Sequence, residues 1–251
     1  MNKEAGTRRT AVVTGAAGAL GAAISERLIR DGHDVVLADI RPAAAQEVAR
    51  RIDPGGTRTS VVVVDVASEP SVRLMVQAAV DWRGKVDILI NNAGVAEPDN
   101  RTWEMPLEDW DRTMAIDLAG VFYCCRTVLP LMIAARWGRI VNISSIAGKD
   151  AKHMPVAYAA AKSGVIGLTK AVAFEVAEYG ILVNAITPGA IWSANWAAVS
   201  DAQRALHLGL HPLGRFGQPN EVAELVAWLS SDACSFSTGA VFDISGGRAS
   251  F

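Results

Sequence analysis

The sequence predicts one α/β domain built on a doubly wound parallel sheet. Strand-like apolar runs alternate with helix-like segments, and this β-α-β-α-β-α-β rhythm repeats at intervals of roughly 25 residues. Ser60-Val-Val-Val-Val-Asp65-Val66 carries a continuous apolar run instead of an alternating one, as a strand covered on both faces should. A glycine-rich turn, Gly15-Ala-Ala-Gly18-Ala-Leu-Gly21, joins the first strand to the first helix.

The 251 residues are 51% hydrophobic and 20% charged, an ordinary globular composition with enough chain to bury a sizeable core. No linker, repeat or low-complexity stretch divides it, so residues 1–251 read as one domain. A formal net charge of -2 offers no basic face to nucleic acid. No apolar run reaches the roughly 18 residues that span a membrane, and Met1–Arg9 is polar without a signal core. A cytoplasmic protein with no membrane partner is expected. The three cysteines cannot all pair, and the neighbours Cys124 and Cys125 read as buried small hydrophobes in a reducing compartment. No Cys/His grouping has metal-ligand spacing, so no metal is expected.

Thr10–Thr14 reads as a buried strand and Ala22–Arg30 as the helix after the glycine-rich turn. Glycine lets backbone approach a ligand closely, and a helix N-terminus offers free N–H groups and partial positive charge. Strand, turn and helix together therefore form a phosphate cradle. Val35–Asp39 is a second strand ending in a carboxylate, eighteen residues after Gly21. An acid there can accept hydrogen bonds from both ribose hydroxyls of an adenosine and repels a 2′-phosphate, which favours NAD over NADP. Arg41 can soften that preference, and Asp39 can also cap the helix that begins near Pro42.

Ser60–Val66 is the third strand, Glu69–Trp82 a helix and Val86–Ile90 the fourth strand. The fourth strand runs into Asn91-Asn92-Ala93-Gly94, small and amide groups suited to packing against a flat ligand. Pro106–Arg136 is a long helical stretch in which Pro130 is expected to make a kink. Gly138–Ser144 is strand five, Lys149–Pro155 a loop, and Pro155 opens a helix reaching Tyr179. Ile181–Thr187 is strand six, closed by Pro188-Gly189. Residues 190–213 read as a mobile insert, followed by a helix over Pro219–Ser231 and a short strand over Ala240–Ile244.

The chemistry centres on Tyr158-Ala-Ala-Ala-Lys162. Four residues apart on a helix, the two side chains share one face. A lysine ammonium beside a phenol favours the phenolate, so the expected pair is a general acid/base working near neutrality. Ser145, thirteen residues upstream, can hydrogen-bond the substrate oxygen that Tyr158 protonates. Alone, Tyr-x-x-x-Lys is equally an ordinary helix with a lysine on its wet side.

Thr14-Gly15…Gly21, Asn91-Asn-Ala-Gly94, Ser145, Tyr158-x-x-x-Lys162 and Pro188-Gly189, in this order, resemble the short-chain dehydrogenase/reductase family over nearly the whole chain, from about Thr10 to Gly247. Each motif stands at the C-terminal end of a strand or opens the next helix, where open parallel sheets bind ligands. The resemblance implies a seven-stranded Rossmann sheet, an NAD(P) cofactor and a homotetramer built on the two long helices and the C-terminal helix and strand. It implies Tyr158 as proton donor or acceptor, Lys162 as the residue that tunes it and holds the nicotinamide ribose, and Ser145 as the substrate-oxygen anchor. It places Gly15, Ala17, Leu20 and Gly21 at the pyrophosphate. Asp39 and Ile40 fall at the adenosine ribose and Asp65 and Val66 beside adenine. Asn92, Ala93 and Gly94 fall along the cofactor, and Pro188, Gly189, Ile191 and Ser193 at the carboxamide.

Two positions depart from the family pattern. Ala19 replaces the middle glycine of the turn, which is expected to weaken cofactor binding or shift the helix start. Asp117 stands where the family has a catalytic asparagine, and is expected to be protonated, to alter the proton relay, or to stabilise Lys162. The substrate side is expected along residues 95–101, 149–154 and 190–210. There Lys149, Lys152, His153 and Asn195 supply polarity, and Trp192 and Trp196 supply walls.

The favoured reading is an NAD-dependent oxidoreductase of a secondary alcohol or ketone, with a sugar, polyol or 2-keto-3-deoxy sugar acid as its small-molecule substrate. A 3-oxoacyl thioester reductase and an enzyme of hydrophobic cyclic or aryl alcohols use the same motifs. A nucleotide-binding regulator would keep the fold without the chemistry; the intact Ser145, Tyr158 and Lys162 argue against it.

Overall fold

A computed structural model describes residues 8–96, 100–152, 154–194, 196 and 199–249. The elements run β1 (Thr10–Thr14), α1 (Ala19–Arg30), β2 (Asp34–Asp39), α2 (Pro42–Ile52), β3 (Thr59–Val63), α3 (Glu69–Arg83) and β4 (Ile88–Asn91). They continue with α4 (Leu107–Met114), α5 (Gly120–Ala135), β5 (Gly138–Ile143), α6 (Val156–Val176), β6 (Ile181–Pro188), α7 (Asp201–Gly209), α8 (Pro219–Leu229) and β7 (Val241–Ile244). All seven strands are parallel, in the order β3-β2-β1-β4-β5-β6-β7. The chain starts in the middle of the sheet, winds outward to β3, then returns past β1 to build the other half through β4. That reversal leaves a crevice at the C-terminal ends of β1 and β4, where open α/β sheets bind ligands.

The central strands are covered on both sides, while the edge strands β3 and β7 are half-buried, and two apolar clusters fill the space on the sheet's faces. One joins Val12, Val36 and Leu89 to α3, α5 and α6 through residues such as Met75, Val128 and Val172. The other joins Val13, Val35 and Ile90 to α1, α2 and α8 through Leu28, Ala45 and Val226. Alternate residues of one strand thus feed opposite cores, which is why β1, β2, β4 and β5 are buried at every position. Cys124, Cys125 and Cys234 are free and buried. Burial pushes the Cys125 thiol up to about 12, partly countered by a hydrogen bond from Asn91; the Cys124 thiol also rises.

Pro130 sits inside α5, and Ala115–Ala119 forms a π-helical turn between α4 and α5 within the long helical stretch. Such turns cluster at functional sites because the extra residue re-aims a side chain; here Asp117 is the buried one. By length and composition alone, Leu107–Ala135 could cross a membrane, although no continuous apolar run in the sequence is that long. Its buried face, with Val121, Cys124, Cys125, Val128 and Met132, lies instead in the protein core.

Candidate active site

The glycine-rich turn is shaped by two close contacts. Gly15 has φ +65°, a conformation costly for any residue with a Cβ, and an added Cβ would lie 2.9 Å from Ala93 Cα. At Gly21 a Cβ would lie 2.3 Å from the Gly15 carbonyl oxygen. Gly18 caps α1 in an extended conformation, and neither a capping side chain nor an acidic residue occupies its first turn. The first N–H groups of α1 therefore face the crevice with their partial positive charge. The helix begins at Ala19, three residues earlier than predicted, and Ala19 is exposed beside the crevice.

Asp39, only 4% exposed, holds the turn in place. Its Oδ2 accepts from Ala17 N at 2.9 Å, and its Oδ1 accepts from Arg41 N at 2.9 Å and from Arg41 Nε at 3.3 Å. From the other side Asn92 Nδ2 donates to Thr14 O at 2.9 Å and to Gly15 O at 3.2 Å. Thr14 Oγ1 accepts from the backbone N–H groups of Asn92 and Ala93 at 3.0 and 3.1 Å. The ends of β1, β2 and β4 are thus tied into one rim. Beneath it, Asn91 Nδ2 donates to Asn142 Oδ1 at 2.8 Å, and Asn142 Nδ2 donates to Thr169 Oγ1 at 2.9 Å. This network locks β4, β5 and α6 together.

At the far end of the crevice, Tyr158 and Lys162 lie one turn apart on α6, with Lys162 Nζ 5.5 Å from the Tyr158 ring centroid. Lys162 is buried. Its Nζ donates to Ile143 O at 3.2 Å and lies 3.1 Å from Asp117 Oδ2. Burial opposes the Lys162 charge, but the pull of Asp117, joined by Tyr158, outweighs it and raises the Lys162 pKa above its ordinary value. Asp117 Oδ1 accepts from Val95 N at 2.8 Å, so the carboxylate also pins the segment after β4. Gly94 passes so close that a Cβ would sit 3.1 Å from Asp117 Oδ2 and 3.2 Å from Lys162 Nζ. Ser145, 8% exposed, accepts from Ala147 N at 3.1 Å through its Oγ and faces the same space. Its neighbour Ser144 donates to Lys162 O at 2.8 Å, docking α6 on the end of β5.

A cavity of about 820 Å³ joins these two ends. Its lining takes in Gly15, Leu20, Gly21, Asp39, Ile40, Asp65 and Val66 at one side, then Asn92, Ala93 and Gly94. Ser145, Tyr158, Lys162, Pro188, Gly189, Ile191, Trp192 and Ser193 line the rest. Ala17 and Asp117 stand behind the wall and shape it through the hydrogen bonds described above.

The substrate-side expectations divide. Trp192 lines the cavity; Lys149, Lys152 and Trp196 do not. Lys152 is exposed, and its loop is tied to the C-terminal segment by Arg248, which donates to Asp150 Oδ2 at 3.1 Å and to Lys152 O at 2.9 Å. Trp196 packs on Phe216 with ring centroids 4.7 Å apart and donates from Nε1 to Ile191 O at 2.9 Å. It braces the insert. His153 and Asn195 lie outside the described residues. The sequence reading missed Arg112 and Ile116, which also line the cavity. Their i, i+4 spacing ahead of Asp117 was the available signal.

These residues fit a dinucleotide. The cradle admits no Cβ at Gly15 or Gly21, uncapped helix N–H groups face it, and a buried carboxylate closes the far rim at the end of β2. The cavity is within the usual size for a cofactor site.

Comparison with known proteins agrees. A family model described as enoyl-(acyl carrier protein) reductase matches residues 15–249. A 2-dehydro-3-deoxy-L-rhamnonate dehydrogenase (NAD(+)) of a Sphingomonas strain is 38% identical over 97% of this chain and 96% of its own. The cis-4-hydroxycyclohexanecarboxylate dehydrogenase of Sinomonas cyclohexanicum is 41% identical over 97% of this chain and 98% of its own. The crystal structure of levodione reductase superposes with a TM-score of 0.90 at 33% identity, covering 96% of this chain and 97% of that one. With the sheet order, the glycine cradle and the Ser145–Tyr158–Lys162 cluster, this shows that the chain belongs to the short-chain dehydrogenase/reductase family, as an NAD(P)-linked oxidoreductase acting on CH–OH groups.

Proposed function

We propose that this chain interconverts a secondary alcohol and its ketone with NAD as the preferred cofactor, Tyr158 moving the proton at the substrate oxygen. The observation that carries this reading is a single cavity with the glycine cradle and Asp39 at one end and Ser145, Tyr158 and Lys162 at the other. The bound dinucleotide supplies the hydride chemistry. The chain supplies position and proton traffic. Gly15, Leu20, Gly21 and the start of α1 would hold the pyrophosphate, Asp39 the adenosine ribose, and Ile191 and Ser193 the carboxamide. Ser145 Oγ holds the substrate oxygen, Tyr158 takes its proton in oxidation and returns it in reduction, and Lys162 fixes the ribose. Asp117 keeps Lys162 charged in a buried site and takes the place of the family's asparagine behind it.

Asp39 supports NAD over NADP, because its carboxylate at the cavity edge repels a 2′-phosphate. Arg41, paired with Asp39 and with its side chain exposed, counters this.

For the substrate, a sugar, polyol or 2-keto-3-deoxy sugar acid is the first reading, which places the chain in carbohydrate metabolism. Two relatives are named for carboxylated substrates with a hydroxyl or keto group. A hydrophobic cyclic alcohol is the second reading, favoured by Val95, Ala96, Ile191 and Trp192, which make one side of the cavity apolar. Ile191, Trp192 and Ser193, at the start of the insert, line the cavity. A homotetramer in the cytoplasm completes the proposal: Phe122 on α5 and Phe174 on α6 are 46% and 89% exposed, as a contact surface on the long helices requires.

The test is NADH formation across polyols, aldoses, sugar acids and cyclic secondary alcohols, with Tyr158→Phe as control. A sugar-acid substrate turned over by the wild type and not by the control would establish the first reading. Activity confined to cyclic alcohols would establish the second. A wild type silent with every alcohol while still binding NADH would overturn both.

A further inference from the structure

We propose that His211 is a positioning residue for the nicotinamide half of the cavity, linking the seat of α7 to the shape of the turn after β6. This rests on the dinucleotide reading above. His211 lies just beyond α7 and is 4% exposed. Both ring nitrogens are engaged. Nε2 lies 3.1 Å from Ala190 N, and Nδ1 lies 2.7 Å from His207 O. Since the Ala190 N–H can only donate, Nε2 is the acceptor. Nδ1 then carries the proton and donates to His207 O. The geometry thus specifies one neutral tautomer.

The ring is seated hard against the turn it holds. A Cβ on Gly189 would lie 2.7 Å from His211 Nε2 and 2.9 Å from Ser245 O, so the turn, the imidazole and the end of the last strand leave no room for a side chain there. The rest of the turn is held by backbone. Gly189 N donates to Ile244 O at 3.2 Å, Gly217 N to Ala190 O at 3.0 Å and Trp192 N to Gly217 O at 2.8 Å. Two side chains of the insert add to these, Trp196 Nε1 donating to Ile191 O at 2.9 Å and His211 Nε2 accepting from Ala190 N, the one turn N–H held by a side chain among these contacts. The turn carries Gly189, Ile191, Trp192 and Ser193 into the cavity wall. Loss of the acceptor at Nε2 leaves the Ala190 N–H unpaired between two cavity residues, and the turn must move to satisfy it.

The two nitrogens can be separated by substitution. Glutamine places an acceptor near the Nε2 position, whereas asparagine reaches only the Nδ1 position. NADH affinity of the full chain would be followed by nicotinamide fluorescence, and ADP-ribose, which lacks the nicotinamide, would be titrated in parallel by calorimetry. The expected result is that His211→Asn weakens NADH by about tenfold, the value of one unpaired buried donor. ADP-ribose affinity stays as in the wild type, and His211→Gln restores NADH binding to within about threefold of it. Equal losses for NADH and ADP-ribose, or wild-type NADH affinity in His211→Asn, would overturn the proposal. If His211→Asn fails to fold, the Gln variant decides alone: NADH affinity as weak as about tenfold below wild type, at unchanged melting temperature, would overturn it. A wild type that binds ADP-ribose but not NADH would overturn the nicotinamide reading and this proposal with it; one that binds neither would overturn the dinucleotide reading itself.

Discussion

Asp117 Oδ2 and Lys162 Nζ stand 3.1 Å apart with side chains 0% and 5% exposed, a buried ion pair at the end of the cavity that Ser145 and Tyr158 line. Removing one member of such a pair strands the other charge, which typically costs about 3–5 kcal/mol. Asp117→Ala should therefore lower stability by about 3 kcal/mol or more in chemical denaturation at neutral pH. Asp117→Asn, which keeps an oxygen for Val95 N, should lose less. Equal losses in the two variants would mean that the Val95 hydrogen bond contributes nothing.

The same pair sets a pH dependence. The folded Lys162 pKa is raised, so its contribution to stability is complete below the unfolded value, near 10.4, and fades as pH rises through the folded value. Stability measured from neutral to strongly alkaline pH should hold level on this account and then fall. In Asp117→Asn the alkaline fall should shrink, and an identical fall would assign it to other groups.

Tyr158→Phe removes the hydroxyl proposed to carry the proton and keeps the ring that lines the cavity. Turnover should drop by a factor of about 10² to 10⁴ or more, the usual worth of a positioned acid/base. NADH affinity should change little. A variant that keeps wild-type turnover would move proton transfer to another group.

Asp39→Ala removes the acceptor for Ala17 N and Arg41 N together with the charge at the adenosine end. NAD affinity should fall by about tenfold or more, since charged hydrogen bonds contribute about 1.5–3 kcal/mol each. NADP affinity should hold or rise, because Arg41 is released. Unchanged selectivity in competitive titration would place the discrimination elsewhere.

Gly21→Ala puts a methyl into the Gly15 carbonyl oxygen and should abolish measurable NADH binding in a folded chain. Ala19→Gly, at an exposed site beside the same cavity, should leave binding within about threefold of wild type and cost about 1 kcal/mol or less in helix stability. Strongly tightened binding in Ala19→Gly would show that the alanine methyl crowds the cofactor.

Strand positions are legible in the sequence because each depends on a short apolar run bounded by turn residues; the core of every predicted strand is present in the fold. Tyr158 and Lys162 are equally legible, since helix geometry alone puts them on one face. The glycine cradle can be read because Gly15 and Gly21 act through backbone conformation. Ends are harder: the apolar run predicts strand over Ser60–Val66, yet β3 stops at Val63. Val64 N still reaches Asp39 O, but beyond it Asp65 turns to accept from Ala67 N.

By itself, then, the sequence determined the order of elements, the glycine turn and the shared helix face of Tyr158 and Lys162, because local sterics and helix periodicity specify all of them. Tertiary structure alone decided which side chains meet. The π turn with Asp117 buried beside Lys162, the Arg248 hold on the loop of Lys152, and the His211 anchor on Ala190 each join separate segments of the chain. Such contacts depend on how elements pack around a shared core, and neighbouring residues carry no record of it.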